Sequence, residues 1–133
     1  AFRERVRHAF DHFHTIGHLD DQEAAELIRS KEIDVLVDLH GLSARTRPDI
    51  IARGPAPVQI TWLGYPGTSA IPYNDYVIAD DFIFPPELEP FFTEKPLRLP
   101  TLFQVCDTTR KFGPDHPRAF YGLPEDAFVC RPH

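Results

Sequence analysis

The 133-residue sequence has few cysteines and no long apolar run, and each shortage argues against a class of protein. Its two cysteines, Cys106 and Cys130, lack the C-x-x-C spacing of a structural zinc site, although a disulfide and a reduced pair are both compatible with the sequence. No apolar segment approaches the ~20 residues that a membrane-spanning helix needs. No signal peptide is visible, so we expect a cytoplasmic protein that does not associate with a membrane.

Basic side chains are fewer than acidic ones and are scattered along the chain. The chain has 14 lysines and arginines against 20 acidic residues, which gives a net charge of −6. The only dense basic group lies at residues 3–7, and Glu4 interrupts it. Because phosphate backbones are bound by clustered lysine and arginine, the sequence argues against nucleic acid as a partner.

Helical and strand patterns alternate along the first two thirds of the chain. Apolar spacing predicts a helix over 2–14, and a capping-box pattern at Asp20 and Glu23 begins a second. A short helix is expected from Pro48, with Thr46 as its cap. The remaining expectations are strands over 33–39, 58–63, 76–79 and 96–99 and a helical turn over 91–94. This order is typical of a parallel α/β sheet with flanking helices, followed by a Pro-rich extended C-terminal part.

The run from Pro55 to Ser69 is the most informative part of the sequence. A Pro-Ala-Pro entry leads into a short apolar strand, which ends in the loop Gly64-Tyr65-Pro66-Gly67 and two hydroxyl residues. Open α/β sheets bind ligands just beyond the carboxyl ends of their strands. A second loop, His40 to Arg47, follows the preceding strand and should open on the same edge of the sheet. Taken alone, such a Gly/Pro loop is more often a structural turn than a binding site.

The same run resembles the catalytic region of the protein O-GlcNAc transferases, glycosyltransferases linked to TPR repeats (family 41). The resemblance extends through 75–80, 88–95 and 97–100 and ends near 121–126. It covers most of the chain from about residue 33, and a near-unbroken match of fifteen residues is far more specific than a lone glycine motif.

The resemblance implies a partial Rossmann-like fold of the GT-B type. It implies transfer of N-acetylglucosamine from UDP-GlcNAc to serine or threonine of an acceptor protein, with inversion and without a metal or other cofactor. Leu63, Gly64 and Pro66 would border the donor sugar, with the Gly64 N–H free to donate to a sugar hydroxyl, and Arg47 would face the acceptor peptide. The full set of predicted substrate-binding residues is Gly41, Arg47, Leu63, Gly64, Tyr65, Pro66, Gly67 and Thr68. No residue is assigned as catalytic.

The resemblance also predicts the place of the chain in a larger enzyme. Residues 1–127 would form the later part of the N-terminal Rossmann-like domain, and 128–133 would begin the next segment. The groups that hold UDP belong to a second catalytic domain in the family, and TPR repeats precede the first. We therefore expect this chain to be inactive on its own, because the leaving diphosphate lacks a positive partner.

Two other functions fit the same sequence. Related proteins that use GDP-fucose carry similar strings, so an O-fucosyltransferase is one alternative. The departures from the family pattern at Leu42, Ala44 and Gly54 leave a non-catalytic binding or assembly module as the other. His8 and His12 are spaced to share a helix face, but a solvated face explains them better than a metal site.

Overall fold

Four parallel strands form the single sheet of the computed structural model, which describes residues 2–107, 109, 111 and 113–128. The strands are β1 (Val35–Asp38), β2 (Val58–Thr61), β3 (Tyr76–Ala79) and β4 (Lys95–Arg98). They lie side by side in chain order, so each connection crosses back to start the next strand at the same edge of the sheet. The predicted parallel α/β sheet is confirmed, and all four expected strands are present: β1 and β2 are shorter than expected, β3 has the expected bounds, and β4 begins and ends one residue earlier.

The register brings the strand ends together. Val35 lies opposite Val58 and Asp38 opposite Thr61, so β1 and β2 end level with each other. β3 and β4 are also in step, with Tyr76 opposite Lys95. The loops that follow the strands therefore emerge along one edge, as expected for parallel strands.

In the described part of the chain, three α-helices and two 3₁₀ helices accompany the sheet. The α-helices are α1 (Phe2–His8), α2 (Asp21–Ser30) and α3 (Pro48–Ile51). The 3₁₀ helices span Pro86–Phe91 and Arg118–Tyr121. The start of α2 matches the prediction, because the Asp20 carboxylate accepts the Glu23 N–H at 2.8 Å while Glu23 accepts the Asp20 N–H at 2.9 Å.

Three predicted helix boundaries are wrong. The first helix ends at His8 instead of residue 14, and Phe10 and Phe13 are exposed, so its apolar stripe lacks the packing that stabilises a short helix. The cap of α3 is Arg47, not Thr46, and its side chain makes no capping hydrogen bond. The turn expected over 91–94 occurs at Pro86–Phe91, where consecutive prolines set the φ angles of the first turn.

The buried apolar residues lie between α2 and α3 and on the central strands of the sheet. Ala24 and Ala25 of α2 are fully buried against Ile50 of α3, with Ile16, Leu19 and Ile28 around them. Ile60, Val77 and Ala79 of the central strands are also buried, as is Phe84, which lies in the segment after β3. The small alanines allow α2 to approach α3 closely.

No helix in the described part of the chain is long and apolar enough to cross a membrane. Of the segment predicted to begin the next domain, only residue 128 is described. Residues 129–133, including Cys130, lie outside the described residues.

Candidate functional site

The loops that follow β1 and β2 meet at the carboxyl edge of the sheet. The carboxylate of Asp38, the last residue of β1, accepts the N–H of His40 at 3.0 Å and the N–H of Gly41 at 2.9 Å. Aspartate side chains commonly form turns by accepting hydrogen bonds from the backbone a few residues further along. Here the turn folds the loop back over the end of the strand. It places Gly41 beside the loop that follows β2.

Two features of position 41 require glycine, its backbone conformation and the space around it. Its φ is +55°, a left-handed conformation that glycine adopts without steric cost. A Cβ atom at this position would lie 2.7 Å from the Tyr65 Cβ and 3.5 Å from the Thr61 Cγ2. The contact with Tyr65 joins the two loops directly.

Gly64 makes the reciprocal contact. A Cβ atom there would lie 2.2 Å from the Leu39 carbonyl oxygen and 3.0 Å from the His40 Cα, so only glycine allows the two backbones to approach this closely. We define residues 39–41 and 63–67 as the glycine interlock. The sequence predicts that the two loops share an edge, and the structure shows that each also needs a glycine where it meets the other.

The backbone at Leu63 is strained. Its φ is +77°, and the Gly64 N–H donates to the Trp62 carbonyl at 3.0 Å, which closes a three-residue γ-turn. Such turns with positive φ at the centre are rare, and strained residues concentrate at functional sites. The Gly64 N–H is therefore already used within the loop, which differs from the expectation that it is free for a sugar hydroxyl. The place of Gly64 in a donor site stays a prediction.

The remaining residues of the loop divide into a packed side and an exposed side. The Tyr65 ring covers Gly67, with its Cε1 atom 3.1 Å from the position of a Cβ there. Leu63 and Pro66 are exposed, so their apolar side chains face solvent at the edge of the sheet. The crevice beneath the loop has a volume of only about 10 Å³, which is too small for a sugar.

Thr68 and the neighbouring Ser69 are bound to Glu94. The Thr68 hydroxyl donates to Glu94 Oε2 at 2.7 Å, and the Ser69 N–H donates to Oε1 at 2.8 Å. The Ser69 hydroxyl also donates to Oε1. Sequence reasoning missed Glu94, because a single acidic residue ahead of a strand carries no pattern that distinguishes it from a surface side chain.

A second carboxylate holds the segment that follows β4. Asp80, directly after β3, accepts the N–H groups of Ile83, Phe82 and Phe103 at 2.9, 3.0 and 2.8 Å. The N–H groups of Ile83, Phe103 and Phe82 hold the pKa of Asp80 below its ordinary value, against the opposing effect of burial. The Trp62 indole N–H donates to the Phe103 carbonyl at 2.9 Å. Phe103 is thus fixed across the ends of β2 and β3.

Arg47 lies at the start of α3, and its guanidinium is engaged on the helical side of the sheet. Its Nε pairs with Asp21 at 2.6 Å, and its terminal nitrogens donate to the carbonyls of Ile16 and Leu19 at 3.1 and 2.8 Å. These contacts tie the turn before α2 to the loop after β1. The predicted role of Arg47 in facing the acceptor stays a prediction. In that role, the same guanidinium would contact the acceptor and make these structural hydrogen bonds.

The predicted site residues therefore fall into two groups. Gly41 and Arg47 line a cleft of about 310 Å³, together with Asp38, His40 and Arg45 at its polar side. Leu63, Tyr65 and Pro66 lie outside that cleft, on the other arm of the interlock. Within the described residues, no group of three or more histidine, cysteine, aspartate or glutamate side chains is placed to hold a metal ion. His12 lies beyond the end of α1, so His8 and His12 do not share a helix face.

Comparison with known proteins decides the family. The model of glycosyl transferase family 41 matches residues 1–121. The chain belongs to this family. The resemblance inferred from the run at Pro55–Ser69 is therefore confirmed, and family 41 members are glycosyltransferases.

Two curated relatives and one solved structure show how far the likeness extends. The chain is 32% identical over 134 residues to the Arabidopsis thaliana protein named probable UDP-N-acetylglucosamine–peptide N-acetylglucosaminyltransferase SEC, which covers 96% of this chain. It is 36% identical over 107 residues to the Caenorhabditis elegans UDP-N-acetylglucosamine–peptide N-acetylglucosaminyltransferase, which covers 80% of this chain. A solved mutant of the Thermobaculum terrenum O-GlcNAc transferase superposes on 77% of this chain with a TM-score of 0.74 and 36% identity.

The same comparisons confirm the expected Rossmann-like fold of the GT-B type. The chain spans 14% and 9% of the lengths of the two curated relatives and 20% of the solved chain. The chain therefore corresponds to only a small part of each of those proteins.

Proposed function

We propose that this family 41 chain forms the donor-sugar edge of a protein O-linked N-acetylglucosaminyltransferase. The observation that carries the proposal is the glycine interlock, which presents a closely packed loop with strained backbone at Leu63 and exposed apolar side chains at the carboxyl edge of a parallel sheet. This is the position at which open α/β sheets bind ligands. The names of the relatives indicate UDP-GlcNAc as donor and a peptide as acceptor.

The exposed side of the loop suits a sugar better than a phosphate. Leu63 and Pro66 offer apolar surface to the N-acetyl group or the ring face, and neither brings a positive charge. The hydroxyl of Thr68 is already bound to Glu94, so its contribution to donor binding is to hold the end of the loop. Gly41, Tyr65 and Gly67 shape the loop through their mutual packing.

In the proposed reaction, the oxygen of an acceptor serine or threonine forms a bond to the anomeric carbon while the bond to the diphosphate oxygen breaks, and the acceptor proton passes to a base. The configuration at the anomeric carbon inverts, and no metal is required. Negative charge develops on the leaving UDP, and stabilising it needs positive or hydrogen-bonding groups. We assign those groups to the second catalytic domain of the family, and we expect the 133-residue chain alone to bind weakly and to transfer no sugar.

The test is a two-dimensional NMR titration of the chain with UDP-GlcNAc, with UDP and GDP-fucose titrated separately. We expect UDP-GlcNAc to shift the resonances of residues 63–67 and 40–41, and UDP alone to leave them unchanged. Shifts with GDP-fucose only would support the O-fucosyltransferase instead. A dispersed spectrum without shifts for either donor would overturn the assignment of this edge and favour the non-catalytic module.

A matched pair of variants separates a sugar contact from a general effect. Leu63 and Leu42 are exposed to nearly the same extent, 41% and 42%, and lie on neighbouring loops. Leu63→Ala should weaken the UDP-GlcNAc shifts several-fold, whereas Leu42→Ala should leave them unchanged. Equal effects of the two substitutions would contradict the contact with Leu63.

A further inference from the structure

A buried carboxylate lies beneath the end of the candidate donor loop. Glu94, the residue before β4, is only 4% exposed. Burying an ionised carboxylate is costly unless hydrogen bonds replace the lost water. The side chain of Glu94 must therefore be well satisfied, and its partners show what it holds.

Both oxygens of Glu94 accept hydrogen bonds from one segment of the chain. Oε1 accepts from the N–H and the hydroxyl of Ser69, and Oε2 accepts from the hydroxyl of Thr68 at 2.7 Å. Two further donors complete the set, Asn74 Nδ2 at 3.2 Å to Oε1 and the Thr93 hydroxyl at 3.2 Å to Oε2. All of these donors are neutral, and hydrogen bonds to an ionised acceptor are stronger than those between neutral groups.

Asn74 extends the network to the sheet. Its Nδ2 lies 2.6 Å from the Thr61 hydroxyl at the end of β2 and 2.9 Å from the Ser69 hydroxyl. The connection from β2 to β3 is thus held to the start of β4 and to the end of β2 at the same point. Among the side chains of this network, only that of Glu94 contacts both Thr68 and Ser69.

The two ends of the donor loop are therefore fixed in different ways. The interlock with Leu39 and Gly41 holds its beginning, and the carboxylate holds its end at Thr68 and Ser69. We propose that Glu94 is a positioning residue of the transferase site, which keeps residues 63–68 in the conformation that receives the donor sugar. This inference rests on the proposed function, because it assigns Glu94 a role in that site.

Charge is part of the proposed role. Burial alone would raise the pKa of Glu94, but the hydrogen bonds from Ser69 and Thr68 outweigh it and hold the pKa below its ordinary value. Glu94 is thus ionised at neutral pH and accepts on both oxygens. A glutamine at this position keeps the size of the side chain but replaces one acceptor with a donor, which would face the hydroxyl or N–H groups of Ser69 and Thr68.

The first experiment measures Glu94→Gln against Glu87→Gln, an exposed glutamate in the nearby 3₁₀ helix. In the wild-type chain the Ser69 N–H is bonded to the carboxylate, so we expect its hydrogen exchange to accelerate at least tenfold in Glu94→Gln and not in Glu87→Gln. Exchange at the strand residues Ile60 and Val77 should change much less. An equal acceleration at all these amides would show a general loss of stability and would overturn the positioning role.

The second experiment measures UDP-GlcNAc binding by NMR titration in the same variants. We expect the dissociation constant to rise about tenfold in Glu94→Gln, a loss of roughly 1.4 kcal/mol, and to stay unchanged in Glu87→Gln. If the wild-type chain binds the donor at residues 63–67 and Glu94→Gln binds it equally well, the positioning role fails while the proposed function stands. If the wild-type chain binds no donor, the proposed function fails, and with it a role for Glu94 in that site.

A milder variant covers the case in which Glu94→Gln does not fold. Ser69→Ala removes one hydroxyl donor to the carboxylate and keeps the backbone N–H. We expect it to weaken donor binding by several-fold with a dispersed spectrum. Binding equal to that of the wild type, with unchanged exchange in residues 63–68, would contradict the proposal.

Discussion

The glycine interlock makes a quantitative prediction for Gly64→Ala. A Cβ atom at this position would lie 2.2 Å from the Leu39 carbonyl oxygen, whereas ordinary contacts begin at 3.4 Å. The two backbones must therefore separate by about 1 Å, since neither contact is the flexible end of a side chain. Inserting a methyl group into such packing typically costs about 1–3 kcal/mol. The loss of chain freedom in the unfolded state returns about 0.4–1 kcal/mol of this.

We therefore expect Gly64→Ala to lower the free energy of unfolding by about 1–2 kcal/mol and to abolish the UDP-GlcNAc shifts at residues 63–67. Urea denaturation measures the first quantity and NMR titration the second. The two effects should appear together, because the same displacement separates the loops and moves Leu63.

Three other glycines provide controls that separate steric clash from backbone strain. A Cβ atom at Gly17 would meet no atom within 4 Å, and its φ is not positive, so Gly17→Ala should be neutral or slightly stabilising. Gly122 has φ of +67° in open space, so Gly122→Ala should cost about 1 kcal/mol through strain alone. Gly41 combines both effects and should be the most sensitive of the four.

The reasoning is refuted if Gly64→Ala unfolds at the same urea concentration as Gly17→Ala. It is also refuted if Gly64→Ala loses stability but binds the donor as the wild-type chain does, because the interlock would then have no part in presenting the loop.

Three further predictions concern the anchors of the fold. Because the pKa of Asp80 is lowered in the folded chain, its carboxylate stabilises the fold above the ordinary value of 3.8, and this stabilisation is lost as the pH falls through the lowered value. Asp80→Asn should therefore flatten the loss of stability on the acid side, measured by urea denaturation across pH. Trp62→Phe leaves the Phe103 carbonyl without its indole donor and should cost about 1 kcal/mol at neutral pH, measured in the same way. Asp20→Ala removes the cap of α2 and should cost about 1 kcal/mol, with a matching loss of helical circular dichroism.

Local patterns predicted the strands and the second helix well. The β-branched runs that contain Val35–Asp38 and Val58–Thr61 form the strands expected of them, and the Asp20 capping box begins α2 where the sequence places it. These features depend on neighbours within a few residues. The predicted extent of the first helix is wrong because it depends on distant contacts. Phe10 and Phe13 need packing partners, and a periodic pattern does not show whether such partners exist.

The sequence predicts the place of the glycine loop at the edge of the sheet but not the contacts that hold the loop there. The glycine loop is recognisable because it follows a strand directly, and parallel strands bring such loops to one edge. Glu94 lies 25 residues from Ser69, and Asp80 lies 23 residues from Phe103. Contacts at this separation depend on the register of the whole sheet, so no local pattern marks their residues. The Gly64 N–H is used within a γ-turn because Leu63 has a positive φ angle, and the residue type at position 63 does not predict that angle.

The interlock also constrains how this region can be altered or exchanged. Gly41 lies against Tyr65, and Gly64 against Leu39 and His40, so the shape of each loop depends on the other. If only residues 63–67 were transferred from a relative, the new loop would be shaped to contact the relative's own residues at 39–41 and not those of this chain. Exchanging this region by recombination therefore requires transfer of residues 39–41 and 63–67 together, with the crossover points placed inside the strands.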